Sequence, residues 1–211
     1  MSAPFTAILS ISDAVNAAHC VNFLTASERD LLSRRTNIKQ QHNFIAGRWV
    51  LKNLLMQNMG GSFLDWCILP STTGAPKAFL HGELCAAGVS ISHSTTMVLV
   101  GLNHAGALGV DIEEIRPRSG LNNLADLVAH IATKAESIWW HTQAQPLAKF
   151  YQLWCAKEAV GKLRGTGLTG AALRTESLIE INRTQWRTAD GICITHSTTA
   201  QHMCAVATHG A

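Results

Sequence analysis

Two stretches of this chain repeat one another. Ile91 to Thr96 reads ISHSTT and Ile194 to Thr199 reads ITHSTT, and each leads into an apolar, strand-like run. Upstream of each, Phe44-x-x-x-Arg48-Trp49 is answered by Phe150-x-x-x-Trp154-Cys155 at nearly the same separation. Echoes in the same order at one spacing suggest duplication, although matches this short also arise by chance. A duplication confines the chain to two similar halves, each a helix followed by a sheet, joined near residues 103–110. We expect residues 1–105 to form one half and 106–211 the other.

With 211 residues, 47% of them hydrophobic, the chain can bury one large core or two small ones. The net charge of +3 suits an anionic small molecule or an acidic protein better than extended nucleic acid, which calls for a denser basic stripe. Cys20, Cys67, Cys85, Cys155, Cys193 and Cys204 are scattered without a CxxC pair, so reduced thiols are expected. No basic, apolar and small-residue leader opens the chain, and no run of about 18 apolar residues occurs. The expectation is a soluble cytoplasmic protein that binds neither membrane nor nucleic acid.

Along the chain, Phe5 to Ile11 reads as an opening strand, followed by a short helix from Ser12 or Asp13. A second helix starts near Thr25, with Ser27 as its candidate N-cap, and ends in the cluster Arg34, Arg35 and Lys39. Asn43 to Met59 is amphipathic and closed by Gly60-Gly61. Arg48 and Lys52 share one face of it, either as a solvated basic face or as a phosphate clamp. Ser71 to Pro76 is a turn. Val89 to Leu102 reads as two strands with His93 at the turn, where a histidine flanked by hydroxyls is structural or an anion donor.

Ala107 to Ile112 reads as a strand. Asp111 and Glu113, two apart, then project to one side and repel unless a cation or protons lie between them. Such oxygen donors suit Mg²⁺; a strand end with exposed acids is the plainer alternative. Thr133-x-x-Glu136 has capping-box spacing and opens a helix through Trp139 and Trp140. The long helix from Phe150 places Glu158 and Lys162 on one face, where such a pair is ordinarily a solvated ion pair. Gly165 to Gly170 matches GxGxxG but follows a helix, so it reads as a loop instead of a dinucleotide fingerprint. Arg116 to Gly120 breaks the pattern, and Ile179 to Ala207 reads as two or three strands.

Taken together, SISHS (90–94), GVDIE (109–113) and WCAKEAVGK (154–162) resemble, in order and spacing, the motifs of the Sfp-type 4′-phosphopantetheinyl transferases. The resemblance covers about residues 40 to 170. It implies an α+β fold of two similar halves, each a helix packed on a small antiparallel sheet, in a pseudo-twofold arrangement with coenzyme A and Mg²⁺ in a cleft. It also implies transfer of phosphopantetheine from coenzyme A to a serine of an apo acyl or peptidyl carrier protein, releasing adenosine 3′,5′-bisphosphate.

The resemblance assigns Asp111, Glu113 and Glu158 to the metal, with Mn²⁺ an alternative to Mg²⁺. Glu158 is also the candidate base, and Lys162 the residue on the leaving phosphate. Ser92, His93 and Arg48 are assigned to coenzyme A, with the Arg34/Arg35 cluster as helpers, and Lys157 either anchors its helix or reaches a phosphate. A monomer is expected, because one chain holds both halves. Two departures stand out: Ala75, with Lys77 just beyond, where many relatives carry a basic residue, and Ala132 where the family has an aromatic. The other readings are a non-catalytic homologue that binds coenzyme A or a carrier, and a metal-dependent phosphoesterase. A serine hydrolase is disfavoured by the lack of a GxSxG elbow.

Overall fold

The computed structural model describes residues 3–117, 124–166, 170–199 and 201–210. It divides into two compact units, Met1–Leu108 and Gly109–Ala211.

The first unit opens with β1 (Phe5–Ser10) and α1 (Ile11–His19), continues through α2 (Ala26–Ser33) and α3 (Ile38–Met59), and adds a sheet of β2 (Trp66–Pro70), β3 (Pro76–Leu80) and β4 (Glu83–Leu84). It closes with β5 (Gly88–His93) and β6 (Met97–Asn103), which lie with β1 in the order β1-β6-β5. Both pairings of that sheet are antiparallel. Leu51 and Leu55 of α3 pack with Trp66, Ile68, Val98, Val100 and Leu102 into one buried cluster.

The second unit runs β7 (Leu108–Glu114), α4 (Leu124–Ile131), α5 (Lys134–His141), α6 (Pro146–Arg164), α7 (Gly170–Thr175), β8 (Leu178–Glu180), β9 (Gln185–Thr188), β10 (Ile192–Thr199) and β11 (His202–His209). Its strand order is β7-β11-β10-β9-β8. Phe150, Leu153, Ala156 and Val160 of α6 pack with Ile192, Ile194, Ala205 and Ala207.

Both units therefore contain an opening strand, a long helix and a terminal hairpin, ordered first-last-penultimate in the sheet. The ISHSTT and ITHSTT echoes begin on the first strands of the two hairpins, β5 and β10. His93 lies against α3, where a Cβ on Gly47 would stand 3.0 Å from its Nε2. In the second unit His196 occupies the matching place, its Nε2 3.1 Å from the carbonyl of Gln152 on α6. The correspondence Gly47 to Gln152 sets the two helices one residue away from the Phe44/Phe150 register.

Local chemistry explains the element ends. Asn37 caps α3, which starts five residues before the expected Asn43, and Gly60 closes it at φ 80°. Pro146 sits in the first turn of α6, and Gly165 ends it in the left-handed region at φ 66°. Thr133 forms the expected capping box with Glu136. Thr25, not Ser27, caps α2, and it too closes a box with its own glutamate, Glu28. Strands β2 to β4 add to the elements expected from the sequence, and Ile179–Ala207 yields four strands instead of two or three. Residues 118–120 of the Arg116–Gly120 break, and 167–169 of the glycine-rich stretch, lie outside the described residues. Trp140 is buried, and Trp139 meets Trp186 edge to face at 5.1 Å.

Candidate active site

In the second unit, α6 lies directly on β7. A Cβ on Gly109 would stand 1.9 Å from the carbonyl oxygen of Ala159 and 2.7 Å from the amide of Leu163, so the strand can approach the helix only without a side chain there. Trp154, Glu158 and Lys162, four apart, form one stripe of the helix. Both ends of the stripe are tied to the strand. Trp154 Nε1 donates to Glu113 Oε1 at 3.1 Å, and Lys162 Nζ donates to Asp111 Oδ1 at 2.8 Å and to the Val110 carbonyl at 3.1 Å.

Glu158, one turn from each tie, is half-buried, as are Glu113 and Lys162, whereas Asp111 is 4% exposed. The structure thus gathers the acids onto one strand and one facing helix. Among the described residues, no three carboxylate, imidazole or thiol groups form a ready-made metal cluster. The donors are nonetheless hard oxygens, which fits a cation that takes one or two carboxylates and completes its shell with water and phosphate oxygens. Beneath the stripe, burial and the neighbouring Asp111 push the Cys155 thiol well above its ordinary pKa, so it stays protonated.

In the first unit, a cavity of about 530 Å³ is lined by Arg34, Arg35, Phe44, Arg48 and His93, among others. Phe44 organises it. The guanidinium carbons of Arg48 and Arg35 lie 3.7 and 4.2 Å from its ring centroid. Stacking on one ring holds two like charges close together. Burial lowers the Arg48 pKa to about 10, which still leaves it cationic at neutral pH. Its Nε is buried without a hydrogen-bond partner among the described residues, and its Nη2 reaches only the Ile68 carbonyl, at 3.5 Å. Three arginines and a histidine thus line one cavity, with Arg34 also paired to Asp30 at 2.5 Å.

Ser92 does not join them. It is next to His93 on β5 and so projects to the opposite face, where it is buried. Lys77, exposed on β3, is not among the cavity's lining residues. Lys52, read as sharing a basic face with Arg48, departs from that expectation and is fully buried against Glu28. Lys157, expected either to anchor its helix or to reach a coenzyme A phosphate, is also fully buried, and its ammonium is taken up by Glu136 and the carbonyls of Leu173 and Glu176. It is a helix anchor, since those acceptors already use its three donors. Sequence reasoning also missed Phe44 as the arginine platform and Glu28 as a partner, although Thr25-x-x-Glu28 carries a readable capping signal.

A family model described as the 4′-phosphopantetheinyl transferase superfamily matches residues 107–208, which contain β7 and α6 with Asp111, Glu113 and Glu158. This segment belongs to that superfamily. The chain is 41% identical over 83 residues to a putative 4′-phosphopantetheinyl transferase of Haemophilus influenzae, covering 37% of this chain and 34% of that protein. It is 38% identical over 76 residues to the 4′-phosphopantetheinyl transferase AcpT of Salmonella typhimurium, covering 36% and 39%. The matches thus span little more than a third of the length of these superfamily members. A holo-(acyl-carrier-protein) synthase from Bacillus anthracis, solved in complex with CoA (3′,5′-ADP), aligns at a TM-score of 0.40 with 21% identity, over 47% of this chain and 94% of that one.

Proposed function

We propose that this protein is an Sfp-type 4′-phosphopantetheinyl transferase that moves phosphopantetheine from coenzyme A to a serine of an apo acyl or peptidyl carrier protein and releases adenosine 3′,5′-bisphosphate. The observation that carries the reading is the double tie of α6 to β7, which brackets Glu158 between Trp154–Glu113 and Lys162–Asp111. A general base held between two fixed points, beside a lysine, is what phosphoryl transfer needs, because its catalysis is mainly positioning and electrostatics.

In this reading the carrier serine Oγ attacks the phosphorus that bears the pantetheine. Glu158 takes the hydroxyl proton, directly or through water. The P–O bond to the second phosphate breaks, and Lys162 stabilises or protonates the departing oxygen. Arg48, with Arg34, Arg35 and His93, binds the phosphates of coenzyme A, the 3′-phosphate included. Asp111, Glu113 and Glu158 are the residues that would hold Mg²⁺, or Mn²⁺ in its place, and the bound ion would neutralise charge on the diphosphate. The protein works as a cytoplasmic monomer; no helix among the described residues is long and apolar enough to cross a membrane.

The test is to incubate the protein with coenzyme A, Mg²⁺ and several apo carriers and to follow carrier mass. The expected result is a phosphopantetheine increment that is absent with Glu158→Gln and with a chelator. Tight coenzyme A binding without any increment would favour a binding-only homologue. Phosphopantetheine released without a carrier would favour a phosphoesterase.

A further inference from the structure

Each unit contains a fully buried carboxylate–ammonium pair built from the same parts. In the first, Lys52 of α3 lies 2.6 Å from Glu28 Oε2 and donates to the carbonyls of Phe23 and Phe63 at 2.8 and 3.0 Å. In the second, Lys157 of α6 lies 2.8 Å from Glu136 Oε2 and donates to the carbonyls of Leu173 and Glu176 at 2.5 and 2.6 Å. Both glutamates close a capping box, on Thr25 and Thr133. Each also accepts a strand amide on its other oxygen, from Ile68 at 3.1 Å and from Leu178 at 2.9 Å. One lysine therefore joins its long helix to a short helix and two further backbone carbonyls, and one glutamate joins that short helix to a strand.

Burying two charges is costly, and a well-packed apolar pair would stabilise such a core as well or better. Stability alone does not explain the same device twice. An apolar pair tolerates rotation and sliding of the helix, whereas an ammonium with three fixed acceptors does not. Each lysine also sits within about one turn of a residue of the proposed site. Lys157 precedes Glu158 and lies three residues after Trp154; Lys52 lies one turn after Arg48.

We propose that Glu136 and Lys157 are positioning residues that fix the rotation of α6, so that Trp154, Glu158 and Lys162 meet β7, and that Glu28 and Lys52 do the same for α3 and Arg48. The inference rests on the transferase reading. It assigns the second pair to the rate of the chemical step and the first to coenzyme A binding.

The experiment removes both charges of a pair together, which leaves no uncompensated ion: Glu136→Leu with Lys157→Met, and Glu28→Leu with Lys52→Met. Transfer kinetics are measured beside thermal unfolding. The first double variant should lose kcat on the order of 10- to 100-fold, with KM for coenzyme A within about 3-fold of the parent. The second should raise KM about 10-fold and leave kcat within a few-fold. Merely structural pairs would lower the active fraction alike in both variants. Folded double variants with unchanged kcat and KM, or with the same change in both, overturn the proposal. Should a double variant not fold, Glu136→Gln and Glu28→Gln, which keep the side-chain shape and drop the charge, are read by the same split. A parent protein that modifies no carrier refutes the transferase reading instead. Calorimetric titration of coenzyme A then still decides the first pair: a Kd unchanged in Glu28→Gln sinks it, and a weakened one supports it.

Discussion

Lys162 Nζ stands 2.8 Å from Asp111 Oδ1, so the last turn of α6 is bound to the middle of β7 by a charged hydrogen bond across 51 residues of sequence. With Trp154 on Glu113 two turns earlier, the helix has two fixed points, and Glu158 lies between them on the same stripe. The lysine pairs with Asp111 and, in the proposed site, would compete with a divalent cation for the same oxygen. In the proposed reaction it serves both an acid of the site and the leaving phosphate.

Replacing Lys162 by Met should therefore have two effects. The transfer rate should fall on the order of 100-fold, as when one preorganised donor to a developing charge is lost. The Mg²⁺ concentration giving half-maximal rate should also fall, because the competing cation is gone. Titrating Mg²⁺ in the carrier-mass assay reads both, and a Lys162→Met variant with parental rate would remove Lys162 from the mechanism.

At Arg48 the planar group matters as much as the charge, because it stacks 3.7 Å from the Phe44 centroid beside Arg35. Arg48→Lys should weaken coenzyme A binding about 10-fold, within the range of one charge-assisted hydrogen bond. Dephospho-coenzyme A, which lacks the 3′-phosphate, should bind the two proteins alike. Calorimetry with both ligands makes the comparison, and an equal loss for both would move Arg48 away from the 3′-phosphate.

Gly109→Ala forces a methyl into the space of the Ala159 carbonyl, 1.9 Å from the ideal Cβ. Backbone cannot step aside as a side-chain tip can, so α6 must lift from β7. A loss of about 3 kcal/mol or more in denaturant unfolding is expected, at the upper end of overpacking costs. An alanine variant of parental stability would contradict the close approach.

His196 provides a pH dependence. Burial lowers its pKa from 6.5 to about 4, against the raising effect of its bond to the Gln152 carbonyl. The unfolded chain then binds more protons than the folded one between those values, so stability falls as pH drops through that window. The full effect is about 3 kcal/mol, complete only below the folded pKa. Urea unfolding at pH 7 and pH 4.5 should show a larger loss for the parent than for His196→Gln. Equal losses would place the acid sensitivity elsewhere.

Much of this could be read directly from the residues. Short-range chemistry writes itself into adjacent positions. The box at Thr133 and Glu136 needs only their spacing, the helix stops need Gly60 and Gly165, and two acids on alternate strand positions share a side whatever the rest of the chain does. The ISHSTT echo announced the matched hairpins for the same reason. Lys52, Lys157 and Lys162 illustrate the limit. All three are lysines on long helices, yet two are buried anchors and one reaches Asp111. What separates them is Glu28, Glu136 and Asp111, each more than twenty residues away in sequence, brought close by packing on several sides at once. Gly109 is similar: its letter was visible, but the need for it is a helix backbone arriving from fifty residues downstream. Local geometry determined the elements and the candidate acids; burial, which depends on every neighbour together, decided which charges face the site and which hold it in place.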